Sequence, residues 1–448
     1  MKTIFITSFH TLISRNILQT ELLALLVSNY SVVLLTPDYK KDFFVKNFGG
    51  KNILVEAVPT ELKRSDLWMR KLSLFLSSTK TLSIKKRADF FAAKTLFSFL
   101  ALLSPSYVFG RLPLVHSIFR SLSERLTAPE PFAKLLAIHK PALVFSTDIQ
   151  NELDVRLLHA ARRAGVKTIG MVRSWDNLTA KGAMRVLPDL LAVNNEIVKK
   201  EAINLNGFPV ERIVVTGIPH YDRYWRAQGG YEPGLTHDRG AFFRHFGFDP
   251  KKKFIFFAPA GRRYLGRVKT DKYALELLSA LDVNILVRIP PGDSCDFEGW
   301  NSKKAKVVFD YSGVNFWQGG RKTNELSRED DDRLIRSLYF ADAVAAHLAT
   351  ICIDAAYFDK PIVVIGFDVE QRPYWDSIRR YFDYDHLQPI IQSGGLKIAS
   401  NPGELIASVE AYFKNPKSDE AGRRRIVEAE VQFSDGQATA RLADILRG

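Results

Sequence analysis

His347-Leu348-Ala349-Thr350-Ile351-Cys352-Ile353-Asp354-Ala355-Ala356-Tyr357-Phe358-Asp359-Lys360-Pro361, continuing as Ile362-Val363-Val364-Ile365-Gly366-Phe367-Asp368, decides the fold. A short apolar run, Ala341 to Ala346, precedes it, and Pro361 opens a second run rich in Ile and Val. Both read as buried strands, with room between them for one short helix that Thr350 is placed to cap. Strand, tight loop, helix, strand is the βαβ unit of a parallel sheet. Its loop lies at the carboxyl ends of the strands, where such sheets bind ligands. A helix amino terminus there attracts phosphate through unpaired N–H groups and the macrodipole. His347, Ala349 and Thr350 are therefore candidate substrate contacts, and Asp354, one turn into the helix, a candidate acceptor for sugar hydroxyls. The alternative is an ordinary βαβ unit with nothing bound.

Working outward, the chain of 448 residues exceeds one typical core, so two domains are expected. A hydrophobic content of 46% with 25% charged residues is that of a globular protein. The net charge of +14 (63 basic, 49 acidic) favours anionic partners: nucleic acid, anionic lipid or phosphorylated substrates. Two cysteines, Cys295 and Cys352, exclude a disulfide framework, and no CxxC or Cys/His cluster suggests structural zinc. A reducing cytoplasmic setting fits. The opening Met1-Lys2-Thr3-Ile4-Phe5-Ile6-Thr7-Ser8-Phe9-His10 has too short an apolar run for a signal peptide and reads as a first strand.

Strand-like runs at Thr3–Ser8, Ser31–Thr36, Asn52–Val58, Ala142–Thr147, Lys167–Arg173, Asp189–Val193 and Arg212–Gly217 alternate with helical periodicity. A second series runs through Lys253–Pro259, Asn284–Pro290, Lys306–Phe309, Ala341–Ala346 and Ile362–Phe367. This alternation predicts two doubly wound parallel sheets in α/β domains, 1–225 and 251–430, facing each other across a cleft. The segment 226–250 is expected as a linker, because Gln228-Gly229-Gly230-Tyr231-Glu232-Pro233-Gly234 is rich in turn formers. The last segment, about Pro402 to Gly448, is expected to be helical, with a C-terminal helix over 431–448, and to pack across both domains.

Residues 60–131 break the alternation. They are basic and apolar together: Lys63-Arg64, Arg70-Lys71, Lys85-Lys86-Arg87, then Leu96-Phe97-Ser98-Phe99-Leu100-Ala101-Leu102-Leu103. The apolar run is too short to span a bilayer. A helical insertion of this kind either lies in the interface of an anionic membrane or packs as a subdomain on its own domain.

Four other stretches sit at strand ends. In Arg173-Ser174-Trp175-Asp176-Asn177-Leu178-Thr179-Ala180-Lys181-Gly182, Asp176 is a candidate general base and Lys181 a candidate anion contact; the alternative is a turn held by local Asp and Asn bonds. Thr216-Gly217-Ile218-Pro219-His220-Tyr221-Asp222 reads as a structural exit from the last strand of the first domain. Ala258-Pro259-Ala260-Gly261-Arg262-Arg263-Tyr264 offers Arg262 and Arg263 as a diphosphate clamp, and Arg288 ends the next strand with a cation aimed into the same crevice. His10, just beyond the first strand, is a second candidate base.

These stretches resemble the CDP-glycerol glycerophosphotransferase type of bacterial surface-polymer transferase, within the GT-B superfamily. Trp175-Asp176-Asn177-Leu178-Thr179-Ala180-Lys181 is similar to its Trp-His-Gly-Thr-Pro-x-Lys stretch. Gly217, Pro219 and Asp222 match Gly-x-Pro-x-x-Asp, and Ala258-Pro259-Ala260-Gly261-Arg262 resembles Ala-Pro-Thr-x-Arg. Thr350 to Asp354 resembles a Ser/Thr loop before an acidic helix, and Asp435-Gly436-Gln437-Ala438 a late Asp-Gly-x-Ala. The likeness spans roughly residues 140 to 448. Asp176 and Asn177 stand where the family has His and Gly, and a carboxylate base shifts the expectation from polyol-phosphate towards glycosyl transfer.

The resemblance implies a GT-B-like architecture and an inverting transferase acting on a nucleotide-sugar donor and a glycan or lipid-linked acceptor. The donor is held in the second domain, Asp354 on its ribose or sugar and Arg262 and Arg288 with the helix terminus at 350 on its diphosphate. Asp176 takes the acceptor's proton, and Asn177 beside it is, with Lys181, a candidate substrate contact. No metal, cofactor or nucleic acid is expected; Asp330-Asp331-Asp332 reads as the acidic start of a helix. The location implied is cytoplasmic, peripheral at the inner face of the cell membrane. Rival readings are a CDP-glycerol-type transferase, a sugar-nucleotide epimerase and a non-catalytic membrane-associated assembly protein.

Overall fold

The computed structural model describes residues 1–95, 110, 112–265, 269–318 and 321–448. β-Branched and aromatic runs form two parallel sheets. The first has seven strands: β1 (Lys2–Thr7), β2 (Tyr30–Pro37), β3 (Ile53–Val58), β4 (Leu143–Ser146), β5 (Lys167–Met171), β6 (Leu190–Val193) and β7 (Ile213–Val215). Their order is β3-β2-β1-β4-β5-β6-β7. The second contains β8 (Phe254–Ala258), β9 (Asn284–Ile289), β10 (Lys306–Tyr311), β13 (Ala343–Ala346), β14 (Ile362–Ile365) and β15 (Lys397–Ala399), in the order β10-β9-β8-β13-β14-β15. The hairpin β11 (Val314–Gln318) and β12 (Arg321–Glu325) stands apart. In each sheet the order reverses beside the first strand, between β1 and β4 and between β8 and β13. Those switch points open the crevices in which doubly wound sheets hold ligands.

The period of two along β1 sends Ile4 and Ile6 to one face and Phe5 to the other. Ile4 and Ile6 join Val32, Leu34, Phe145 and Ile169 in one core, while Phe5 packs with Val33, Leu35, Val144 and Leu157 in the other. The chain divides into two compact units, 1–222 with 435–448, and 223–434.

The last segment is helical as expected and is divided between the units: the helices Pro402–Lys414 and Glu420–Glu430 belong to the second, and the last helix, Ala438–Arg447, belongs to the first. Leu442, Ala443 and Leu446 join the β1–β2 core, and the Tyr30 hydroxyl donates to the Leu446 carbonyl at 3.0 Å. Asp222 caps this helix, accepting from the N–H groups of Ala438 at 2.9 Å and Thr439 at 2.7 Å. Two motifs far apart in sequence are therefore one structural clasp.

The expected linker is corrected. Residues 226–250 are built into the second unit, because polar and aromatic groups within them are buried. Glu232 is sealed beneath Arg223, Arg226 and Arg328, and Arg223 also pairs with Asp331 and Asp332. Phe242 and Phe243, on the helix Arg239–Phe246, pack against Phe254 of β8, the first tilted and the second edge-on. Burial overrides the turn-forming composition.

Residues 60–131 contain the helices Arg64–Phe75, Lys80–Ala93 and Pro113–Leu126; the run at 96–103 lies outside the described residues. Met69 and Phe119 make a small core with Ala183. Ser73 accepts the Ala183 N–H at 3.0 Å, and the Thr79 hydroxyl donates to the Thr179 carbonyl at 2.6 Å. Gly182 (φ +90°) leaves no space for a side chain: a Cβ would stand 2.7 Å from Ser73. These helices pack directly on the loop that follows β5. Among the described residues no helix is long and apolar enough to cross a membrane.

Candidate functional site

In the first unit, the β4 and β5 exits bring a charged network together. Asp148, just past β4, accepts from Arg173 Nε at 2.7 Å and from Asn177 Nδ2 at 3.0 Å. The Asn177 carbonyl oxygen in turn accepts from Lys181 Nζ at 2.6 Å. Burial alone would raise the Asp148 pKa, but Arg173, Lys181 and His10 hold it below its usual value, so it is a fixed anion. Burial lowers the pKa of Lys181, while Asp148 and Asp176 work to keep it charged. Asn177 is thus a buried bridge between Asp148 and Lys181 rather than a surface contact.

Asp176 is half-buried and opens the short helix Asn177–Ala180. Its carboxylate does not cap that helix. Its electrostatic neighbours include Lys181 and Lys85, the latter from the insertion helix Lys80–Ala93.

His10 emerges differently from its expected role as a base. Its Nδ1 accepts the Leu12 N–H at 3.3 Å, which puts the ring proton on Nε2. Burial, reinforced by Arg173, pushes its pKa down to about 3. At neutral pH it is an uncharged ring with a hydrogen-bond donor to offer, not a free lone pair.

A cavity of about 400 Å³ adjoins this network, walled by His10, Arg70, Asp148, Glu152, Lys181 and Arg185 among others. Asp176 is not in its wall. Glu152, which the motifs did not single out, is: Arg185 holds its Oε2, Oε1 is shielded without a partner, and burial raises its pKa. Its only sequence signal was an acid at a helix start after a strand. Behind the network, Asp154 is wholly buried and accepts from Thr7 Oγ1 at 2.6 Å and Ser146 Oγ at 2.9 Å. Burial lifts its pKa to about 8.

In the second unit the expected ligand groups are turned largely inward. The loop after β8 does not offer its amides: the N–H groups of Ala260 and Gly261 each donate to Asp271 at 3.0 Å. His347 Nε2 meets the same carboxylate at 3.0 Å. Against the effect of burial, His347 and those two amides hold the Asp271 pKa low. His347, expected to touch substrate, is therefore a buried prop joining the β8 and β13 exits. Gly261 (φ +81°) has no room for a side chain, since a Cβ would approach Asp293 Oδ2 to 2.5 Å.

Arg288 is also corrected. It is buried, paired with Asp310, and donates to the Asp330 carbonyl at 2.8 Å, so it does not aim into the crevice. Thr350 makes no side-chain cap on the helix Ile351–Tyr357; its backbone is already helical, and its carbonyl accepts from Ile353 and Asp354. Ala349 and Thr350 are exposed, and Asp354 is buried. Arg262 is 60% exposed with a long 3.4 Å approach to Asp296, and remains available; Arg263 lies beside it on the helix Arg262–Leu265. The β14 and β15 exits supply a cavity of about 460 Å³ walled by Gly366, Phe367, Asp368, Arg372, Arg379 and Ser400 among others. Among the described residues no cluster of His, Cys, Asp and Glu forms a metal site.

The two-sheet arrangement is the GT-B fold. It is similar to S. aureus MnaA in complex with UDP (TM-score 0.54, 12% identity, covering 100% of this chain and 96% of that one). It is similar too to UDP-GlcNAc 2-epimerase from Methanocaldococcus jannaschii (0.54, 13%, 99% of each chain). The glycotransferase of kitacinnamycin gives a TM-score of 0.52 at 12% identity, over 100% of this chain and 98% of the other. At such identities the likeness is one of fold. No curated protein matches the chain. Residues 166–447 match the family model described as CDP-glycerol:poly(glycerophosphate) glycerophosphotransferase.

Proposed function

The chain belongs to the CDP-glycerol:poly(glycerophosphate) glycerophosphotransferase family, and from that premise we propose that it transfers a polyol phosphate from a nucleotide-activated donor to a hydroxyl of a phosphate-bearing, lipid-linked or polymeric acceptor. The observation that carries this reading is the cation-rich cavity of the first unit, where Arg70, Lys181 and Arg185 line the wall. Such a wall suits an acceptor that carries phosphate. The acceptor hydroxyl attacks the phosphorus bearing the polyol, the bond to the nucleoside monophosphate breaks, and that nucleotide leaves with the electron pair. Asp176 receives the hydroxyl proton, and the His10 Nε2–H orients the acceptor. Lys181 and Arg173 supply fixed positive charge, which favours the charge developing on phosphate oxygens. The donor rests on the second unit, with Arg262 and the exposed loop at Ala349 and Thr350 as its phosphate contacts. The enzyme works as a peripheral protein at the inner, anionic face of a membrane.

A second reading follows from one departure: Asp176, where the family resemblance has His, suits an inverting glycosyl transfer. There the hydroxyl attacks an anomeric carbon and a nucleoside diphosphate leaves. Identifying the released nucleotide separates the two. Purified chain incubated with CDP-glycerol, or with UDP-sugars, and a phosphate-bearing acceptor should release CMP from the former. Release of UDP from a UDP-sugar, with CDP-glycerol inert, would replace the first reading by the second.

A further inference from the structure

The amino end of the first sheet carries a second cationic site, away from the strand exits discussed above. A groove of about 660 Å³ runs between the helix Pro113–Leu126 and the start of β5, with Arg120, Arg162, Lys167 and Arg212 in its wall. Lys167 and the Arg173 network stand at opposite ends of β5, so this groove lies roughly 13 Å or more from that network at about 3.3 Å per residue.

Its cations are prepared for an anion rather than neutralised. Arg120 is pinned by the carbonyls of Met184 and Asn206, and Arg212 by those of Asp189 and Pro188, so both guanidiniums are held in place without a carboxylate partner. Burial, with nothing to offset it, pulls the Arg120 pKa down to about 10. The side chains of Arg162 and Lys167 make no hydrogen bond or ion pair among the described residues. Of the two carboxylates present, Asp189 is engaged by the N–H and hydroxyl of Thr168 at 2.8 and 2.9 Å, leaving Glu124.

The same helix says what kind of anion fits. Ser117, Arg120, Ser121 and Glu124 face the groove, while Leu114 (71% exposed) and Ile118 (59% exposed) form a strip on the adjoining face, continued by exposed Arg125. At 100° per residue the two faces lie roughly a quarter turn apart. A soluble polyanion needs the cations but not the apolar strip. An anionic phospholipid uses both, its phosphate in the groove and the strip in the interface.

We propose that this groove binds the headgroup of an anionic phospholipid, with Leu114 and Ile118 entering the bilayer interface beside it. The inference rests on the membrane-surface part of the proposed function and names the surface that performs it.

The test is cosedimentation of the full chain with phosphatidylcholine vesicles, with and without phosphatidylglycerol. Binding should require phosphatidylglycerol and fall as salt rises. Arg162→Gln with Lys167→Gln should lower the partition coefficient about 25-fold, at roughly fivefold for each cation removed from the surface. Leu114→Ser with Ile118→Ser should also weaken binding. Both pairs are exposed, so unchanged melting temperatures confirm intact folding. If the wild-type chain ignores anionic vesicles, the membrane reading and the groove fall together. If it binds but the Arg162/Lys167 variant binds equally, the groove is overturned and the membrane reading stands. If soluble glycerol phosphate oligomers displace the wild-type chain from vesicles while the Leu114/Ile118 variant binds them undiminished, the site reads soluble polyanions and the lipid assignment is wrong.

Discussion

The exit of β5 in the first unit and the exits of β8, β9 and β13 in the second have the same place in their sheets and opposite fates. After β5, the groups are networked yet still line a cavity: Lys181 and the neutral His10 stand in its wall, and Glu152 beside them keeps a shielded, unpartnered oxygen. After β8, β9 and β13, Asp271 takes two loop amides and His347, and Asp310 takes Arg288. Position at a strand end makes a residue eligible for ligand binding. Whether the protein has already satisfied its charge decides whether it remains so.

The strongest way to break this comparison is at the first unit's base. Asp176→Asn keeps the shape and removes the proton acceptor, so transfer should fall by about two to four orders of magnitude. Melting temperature and nucleotide affinity should hold, since the Asp176 side chain does not cap the helix Asn177–Ala180 and the amide keeps the carboxylate's shape. A folded, fully active variant would dismiss Asp176, and Glu152 would be the next group to test.

Next in size is Arg288. Were it a ligand contact, Arg288→Ala would weaken nucleotide binding and spare stability. Because it is a buried partner of Asp310 and of the Asp330 carbonyl, the reverse is expected. Breaking a buried ion pair costs about 3–5 kcal/mol, and the low end applies here because Arg333 also reaches Asp310, at 3.3 Å. Denaturant unfolding beside nucleotide titration of the same preparation decides it.

A third test uses pH. Folded Asp154 has its pKa lifted to about 8 from 3.8, so the native state keeps a proton that the unfolded chain releases. Between about pH 4 and 8 the native state binds more protons, and stability must fall as pH rises, by at most about 1.4 kcal/mol per pH unit. Asp154→Asn should remove that slope. Melting curves between pH 5 and 8 that remain parallel for both proteins would show that Asp154 is ionised in the fold.

These contrasts mark where sequence reading stops. The strands of both sheets were legible because Val, Ile and Phe cluster in short runs bounded by turn formers. The three-residue edge strand β15 carried too little pattern, and the hairpin β11–β12 was passed over although Gly319-Gly320 separates its arms in the sequence. Partnership was not legible. His347 finds Asp271 from 76 positions away, and Asp222 caps a helix 216 positions on; no local periodicity encodes either pairing. The linker misreading has the same origin: composition shows that Gly and Pro permit turns, not that Glu232 is buried beneath three arginines. Asp176, Asn177 and Lys181 were singled out because they share one short loop, while the network that joins Asn177 and Lys181 runs through Asp148, just past another strand.

The smallest expected effect lies with Arg262, and it sharpens the comparison most finely because this is a second-unit cation left open to solvent. Its nearest carboxylate, Asp296, approaches only to 3.4 Å and is itself 60% exposed, so the pair contributes little to stability. Arg262→Ala should leave unfolding unchanged within about 0.5 kcal/mol, the range for surface substitutions. If the guanidinium reaches the donor's phosphates, nucleotide affinity should drop about five- to tenfold, near 1–1.5 kcal/mol, the lower part of the range for a charge-assisted bond because water competes for the site. The loss should shrink as salt rises, which distinguishes a charge contact from a change in loop shape. Arg262→Lys should recover part of the affinity but not all, since an ammonium lacks the fork that fits two phosphate oxygens. Equal affinity in wild type, Arg262→Ala and Arg262→Lys would leave the β8 exit with no ligand role, and the donor's phosphates would then belong to the Ala349–Thr350 loop alone.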